Sequence, residues 1–96
     1  KALIIELNNV RALGGKGISL YELGKFNEAS ICFDKFLKIE PNNDSMLTFR
    51  GLTAFQLGHY QEALTYYDKL LKINPNDKGH LELRDMINQK ILELKK

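Results

Sequence analysis

The chain is poor in the residues that lend a protein covalent cross-links or strong charge. It has one cysteine, Cys32, so no disulfide can form within it and stability must come from packing. That is compatible with a reducing, cytoplasmic setting. Tryptophan is absent, and the formal net charge is only +2. Nucleic acid and anionic membrane surfaces are bound by clustered basic faces, which this balance gives no reason to expect. No apolar run approaches the roughly 18–20 residues that a membrane helix needs. The opening KALIIELNN is too short for a secretory signal and carries Glu6 too early. Proline occurs only twice, at Pro41 and Pro75.

Those two prolines stand 34 residues apart, and the sequence before them repeats. GISLYELGKFNEASICFDKFLKIEP, residues 17–41, returns as GLTAFQLGHYQEALTYYDKLLKINP, residues 51–75. Extended to full periods, residues 10–43 and 44–77 share 13 identities in 34 aligned positions. A fixed period of this size marks a repeat architecture, in which each unit buries what its neighbour would otherwise expose. The opening falls in the same register. Lys1, Leu3 and Ile5 align with Lys35, Leu37 and Ile39 and again with Lys69, Leu71 and Ile73. Leu7 stands where the later copies carry proline. Residues 1–8 therefore read as the last two turns of a helix, and 1–9 as the end of a preceding repeat.

Each period reads as two helices. Residues 10–23 place Leu13, Gly17, Leu20 and Gly24 at helical spacing, with Gly24 as the stop. A second helix, about 27–40, has Asn27 as its cap and buries Ala29, Phe33, Phe36 or Leu37, and Ile39, before Pro41 ends it. Asp44 or Ser45 caps a third helix over 45–57, with Leu47, Gly51 and Ala54 inward and a stop at Gly58. Its partner, 61–73, buries Ala63, Tyr67, Leu70 or Leu71, and Ile73. Residues 78–96 read as one longer amphipathic helix with the stripe Leu83, Met86 or Ile87, Ile91 and Leu94, as expected of a cap. Gly17 with Ala29, and Gly51 with Ala63, are close-approach points between helices. Phe33 and Tyr67 fill the space between units.

The residues that could carry chemistry do not assemble into a site. GGKG at 14–17 lacks the earlier glycine, the Ser or Thr after Gly-Lys, and the preceding strand of a phosphate loop. Gly17 reads instead as a packing glycine, and Gly14 and Gly15 as residues that loosen the first helix. His59 and His80 have no companions at metal-ligand spacing and read as solvated turn residues. Cys32 reads as an inert thiol. Glu28 and Glu62 stand at helix starts, where they complement the dipole. No catalytic, cofactor or metal site follows, and the chain reads as non-enzymatic.

Small residue, Leu-Gly, aromatic, Glu-Ala, aromatic and proline on this period resemble the tetratricopeptide repeat. The resemblance covers two full repeats, 10–43 and 44–77, the end of a preceding one at 1–9, and a capping helix at 78–96, in a single domain. It implies an all-α fold, a right-handed superhelix of stacked antiparallel hairpins. Two positions depart from the family pattern. Leu13 and Leu47 replace its usual tryptophan, and Lys16 and Arg50 replace a leucine. Such basic residues can lay their stems over the core edge and keep the charge wet.

In this family the first helix of each hairpin lines a concave face. Carried over by position, that face holds Arg11, Gly14, Ile18, Tyr21 and Glu22, then Ser45, Thr48, Leu52, Phe55 and Gln56, with Phe49 beside them and Met86 and Gln89 from the tail. The resemblance implies a protein or peptide partner there, with no nucleic acid and no membrane. Some members grip acidic chain termini with Lys and Asn. Here those positions hold Gly14, Ile18, Phe49, Gly79 and Leu83, so an apolar helical or extended segment is the expected ligand. Two other roles fit the same sequence: a spacer within a longer solenoid that self-associates through its N-terminal edge, or an adaptor domain of a larger enzyme.

Overall fold

In the computed structural model, which describes the backbone of residues 2–95 and the side chains of residues 9–95, five helices follow one another. They are α1 (Ala2–Glu22), α2 (Phe26–Ile39), α3 (Asp44–Gln56), α4 (Tyr60–Ile73) and α5 (Lys78–Leu94). No strand occurs among the described residues. Each helix packs on the next, and α1 also touches α3. Thr48 Oγ1 on α3 lies 3.2 Å from His80 Nε2 on α5. The first helices α1, α3 and α5 thus share one side and α2 and α4 the other. The chain is an all-α repeat solenoid.

The turns explain the antiparallel hairpins. Gly24 and Gly58 both have φ of 80°, the left-handed conformation that glycine adopts without strain. Around Gly24, Lys25 N–H donates to Leu20 O at 2.8 Å and Gly24 N–H to Tyr21 O at 3.0 Å; His59 and Gly58 repeat the pair on Ala54 and Phe55. This Schellman geometry satisfies carbonyls that a helix end leaves bare. Between hairpins, Asn43 and Asp77 do the capping. Each side-chain oxygen accepts from the backbone N–H three residues on, Met46 and His80, at 3.0 Å. The cap of α3 is therefore Asn43, one residue before Asp44. Asn27 is no cap: α2 begins at Phe26 after Lys25, without a side-chain cap, and the Asn27 carbonyl accepts from Ser30 Oγ.

The separate helix expected over 1–8 does not form, because α1 runs unbroken from Ala2 to Glu22. Leu7 stands where Pro41 and Pro75 follow α2 and α4. Leucine keeps the donor that proline lacks, so the backbone ladder continues through it. The expected match of Leu3 and Ile5 to later core positions lies outside the described side chains.

Two core clusters follow from the repeat. Val10, Ala29, Phe33, Phe36 and Met46 form one; Leu47, Ala54, Ala63, Tyr67, Leu70 and Ile87 form the other, and Leu37 packs against both. Ile39 and Ile73, expected inside, are 56% and 47% exposed. Each is the last residue of its helix, past the buried positions, which end at Phe36 in α2 and at Leu71 in α4. On α5, Ile87 is buried and Leu83 and Ile91 are half-buried, while Met86 and Leu94 are exposed.

Glycine at two positions is a matter of space. A Cβ on Gly17 would lie 2.6 Å from Phe33 Cε1, and one on Gly51 2.8 Å from Tyr67 Cε2. Gly14, read from sequence as a loosening residue, is a third packing glycine, with Phe36 Cε2 3.3 Å from the place of its Cβ. Gly15 has nothing within 4 Å.

Arg50 overturns the expectation of a wet charge. It is 7% exposed. Its Nε donates to Asp34 Oδ1 at 2.7 Å, and its Nη2 lies 2.9 Å from Glu62 Oε1. Its guanidinium carbon sits 5.1 Å from the centre of the Tyr66 ring. Burial disfavours the charge. The hydrogen bond it donates to Asp34 and the fields of Tyr66, Asp34 and Glu62 outweigh that, holding the guanidinium above its ordinary range. Arg50 thereby joins α2, α3 and α4.

Gly15→Ala should stabilise the chain by up to about 1 kcal/mol through helix propensity. Gly17→Ala should destabilise it by about 1–3 kcal/mol through overpacking against Phe33, both read from urea midpoints. Arg50→Met should stay within about 1 kcal/mol of wild type, since Asp34 and Glu62 are about half-exposed and can rehydrate. Asp34→Ala/Glu62→Ala, which strands the buried guanidinium, should cost about 3–5 kcal/mol. Burial, with a smaller contribution from Tyr21, raises the Tyr67 phenol far above the usual tyrosine range. An unfolded tyrosine ionises near pH ~10, so above that pH the unfolded state sheds a proton the folded state keeps, and stability falls as pH rises. Tyr67→Phe should flatten that alkaline decline, measured by urea melts at pH 8 and 11.

Candidate partner-binding face

The residues that the sequence places on one face are carried by α1, α3 and α5, the helices on one side of the stack. They divide by exposure. Arg11, Glu22, Ser45, Gln56, Met86 and Gln89 are exposed; Ile18, Tyr21, Thr48, Phe49, Leu52 and Phe55 are half-buried. Gly14 is buried under Phe36 and Met46 and offers no surface.

The half-buried aromatics have two jobs. Tyr21 meets Phe26 edge-on at 5.3 Å and Phe49 at 5.7 Å, and Phe49 stacks on Phe33 at 5.8 Å. This chain of rings runs from the surface of α1 to the core between the first and second hairpins. Phe55 tilts against Tyr60 at 5.3 Å. Ile18 and Tyr21 border the first core cluster, and Leu52 and Phe55 the second. One side of each residue is therefore fixed by packing and the other is open. Such side chains present apolar area with little rotamer freedom left to lose on binding.

Thr48 is committed elsewhere. Its hydroxyl donates to the Asp44 carbonyl at 2.9 Å, which leaves it to accept from His80 Nε2–H at 3.2 Å. Its only proton is already used. His80 itself was read from sequence as solvated, yet it is 8% exposed, with its ring 6.0 Å from that of Tyr67. The reason is the cap. With Asp77 starting α5, the third residue on turns inward onto α3 and α4. One signal could have found it, since the 34-residue period aligns His80 with Met46, also buried. His80 Nδ1 is buried without a hydrogen-bond partner and lies 3.6 Å from Asp77 Oδ1. His59, which precedes α4, is exposed.

No group of three or more His, Cys, Asp or Glu able to hold a metal occurs among the described residues. Cys32 is a free, buried thiol. Among the described residues, no helix is long and apolar enough to cross a membrane. The Arg50, Asp34 and Glu62 cluster lies between α2, α3 and α4, where its charges serve packing.

The tetratricopeptide-repeat family model matches residues 10–43 and 47–77. Among solved structures, the MamA RS-1 ArsTM double mutant is similar, with a TM-score of 0.81 at 26% identity over 90% of this chain. The chain spans 48% of that structure's length. The solution structure of the first tetratricopeptide domain of human RPAP3 has a TM-score of 0.52 at 19% identity, over 88% of this chain and 93% of the other. That likeness bears on the fold alone. No curated protein sequence matches. The repeated motif, the glycine-stopped hairpins and the family match agree: the chain belongs to the tetratricopeptide-repeat family, which generally forms non-enzymatic protein-interaction folds.

Proposed function

We propose that this chain binds a peptide or helical segment of a partner protein on the face formed by α1, α3 and α5, and that it has no enzymatic activity of its own. One observation carries the reading. Ile18, Tyr21, Phe49, Leu52 and Phe55 form a half-open apolar strip along α1 and α3, while Arg11, Glu22 and Gln56 on the same helices are exposed. An apolar centre within a polar rim is the usual anatomy of an interaction site. The rings are pinned from behind, so binding costs little ordering. Exposed Met86 on α5 adds an adaptable side chain. The near-neutral strip suits an apolar ligand better than an acidic terminus, because no lysine stands at the positions that would grip one.

The test is affinity capture from the source cell with three baits: wild type, Leu52→Gln/Phe55→Gln, and the control Lys38→Gln/Lys72→Gln on α2 and α4. Wild type and control should retain the same partner. The strip variant should lose it by roughly tenfold or more while keeping its helical circular dichroism. Equal capture by all three would remove this face from consideration.

A further inference from the structure

A groove between α1 and α2 lies away from that face. It has a volume of about 240 Å³, with Leu13, Lys16 and Leu20 on one wall and Glu28, Ile31 and Cys32 on the other. Moved by one 34-residue period, Leu13, Lys16, Leu20 and Glu28 become Leu47, Arg50, Ala54 and Glu62. In the second hairpin α2 lies against this surface, leaving Leu47 1% exposed and Ala54 0%. In the first hairpin Leu13 and Leu20 are only half-buried, Lys16 is exposed, and Ile31 is 56% exposed. Equivalent positions differ because one surface carries a helix and the other does not.

The covering helix identifies its own chemistry. From α2, Asp34 accepts from Arg50, and Leu37, three residues later, packs on the cluster that holds Leu47. From α4, Asp68 and Leu71 line a cleft with Leu81 and Arg84 of α5, which are Leu47 and Arg50 moved on by one period. On α3, then, a helix with a carboxylate three residues before a leucine covers a leucine followed three residues later by a cation, and on α5 the same residue types face one another across a cleft without an ion pair. Leu13 and Lys16 are a third instance of the covered pair.

We infer that the α1–α2 groove is a docking site for an amphipathic helix of a partner protein, one carrying Asp or Glu three residues before Leu. The carboxylate pairs with Lys16 and the leucine closes over Leu13 and Leu20. This surface is separate from the α1, α3 and α5 face, and the inference does not depend on binding there. Glu28 occupies the place of Glu62, so Lys16 would sit between two carboxylates, as Arg50 does.

The test uses a labelled peptide of residues 60–75, stapled on its solvent side to hold the helix and carrying Asp68 and Leu71. It is titrated against the full 96-residue chain by fluorescence anisotropy, with amide shifts mapping the site. Binding should saturate, and shifts should centre on residues 13–20 and 28–35. Lys16→Glu should weaken binding by roughly tenfold or more, and Asp68→Lys in the peptide should recover it on that variant. A Leu71→Asp peptide should fail to bind. The inference is overturned by any of three results: no saturable binding, equal affinity for Lys16→Glu, or shifts centred on α3 and α5.

Discussion

A ring packed against a glycine of the neighbouring helix is the contact on which the rest of the molecule depends. Phe33 reaches within 2.6 Å of where a Cβ on Gly17 would stand, and Tyr67 within 2.8 Å of the same point on Gly51. Both rings are fully buried, and so are Ala29 and Ala63 one turn before them. The absence of a side chain on one helix allows a large side chain on its partner, and the pair fixes the hairpin. Helices of about 14 residues are marginal in water, so their persistence has to come from such packing. Phe33 also stacks on Phe49 of the next hairpin, so one ring serves both the contact within a hairpin and the contact between hairpins.

Between hairpins the apolar seam is supplemented by charge. Leu37 borders both core clusters, and three residues before it Asp34 reaches Arg50. A buried arginine is weak evidence for stability, since desolvating it consumes much of what its partners return. Its value lies in specificity. The guanidinium can reach Asp34 of one hairpin and Glu62 of the other only when α2, α3 and α4 are in one relative register. Sliding α2 by a turn would take Asp34 away and leave Arg50 Nε buried without its partner, a penalty that apolar packing alone does not impose. Nη1 of Arg50 has no protein partner, which marks the cluster as a compromise.

Much of this was legible because the chain states its plan twice. The period, the helix stops at Gly24 and Gly58 and the aromatics that fill the hairpins all appear as matched letters. What was not legible depended on angle or environment. Ile39 and Ile73 look like core residues by composition, yet each is the last residue of its helix and lies beyond the buried positions. Gly14 and Gly15 are adjacent and chemically identical, but one lies under Phe36 and the other faces open space. His80 looked polar and free, and only its alignment with Met46 signalled burial. The register of residues 1–8 points to a helix end, whereas leucine in place of proline at Leu7 lets α1 continue. For the proposed binding face, the family resemblance names the residues and the structure their exposure. Half-burial is a property of the neighbours, which no single position announces.

The two ends of the stack are not equivalent, and the inequality is chemical. On α5 the positions that correspond to Gly51 and Ala54 are Asp85 and Asn88, both exposed. Where the second hairpin receives an aromatic against a glycine, α5 presents a carboxylate and an amide. A helix laid there would desolvate both without the close approach that makes the contact worthwhile. At these positions α5 thus turns a polar face outward. The opposite end keeps Leu13, Leu20 and Ile31 in the arrangement that its neighbour uses to hold α2. A single hairpin motif thus yields a closed surface or a receptive one according to two residues per period, and the chain carries one of each.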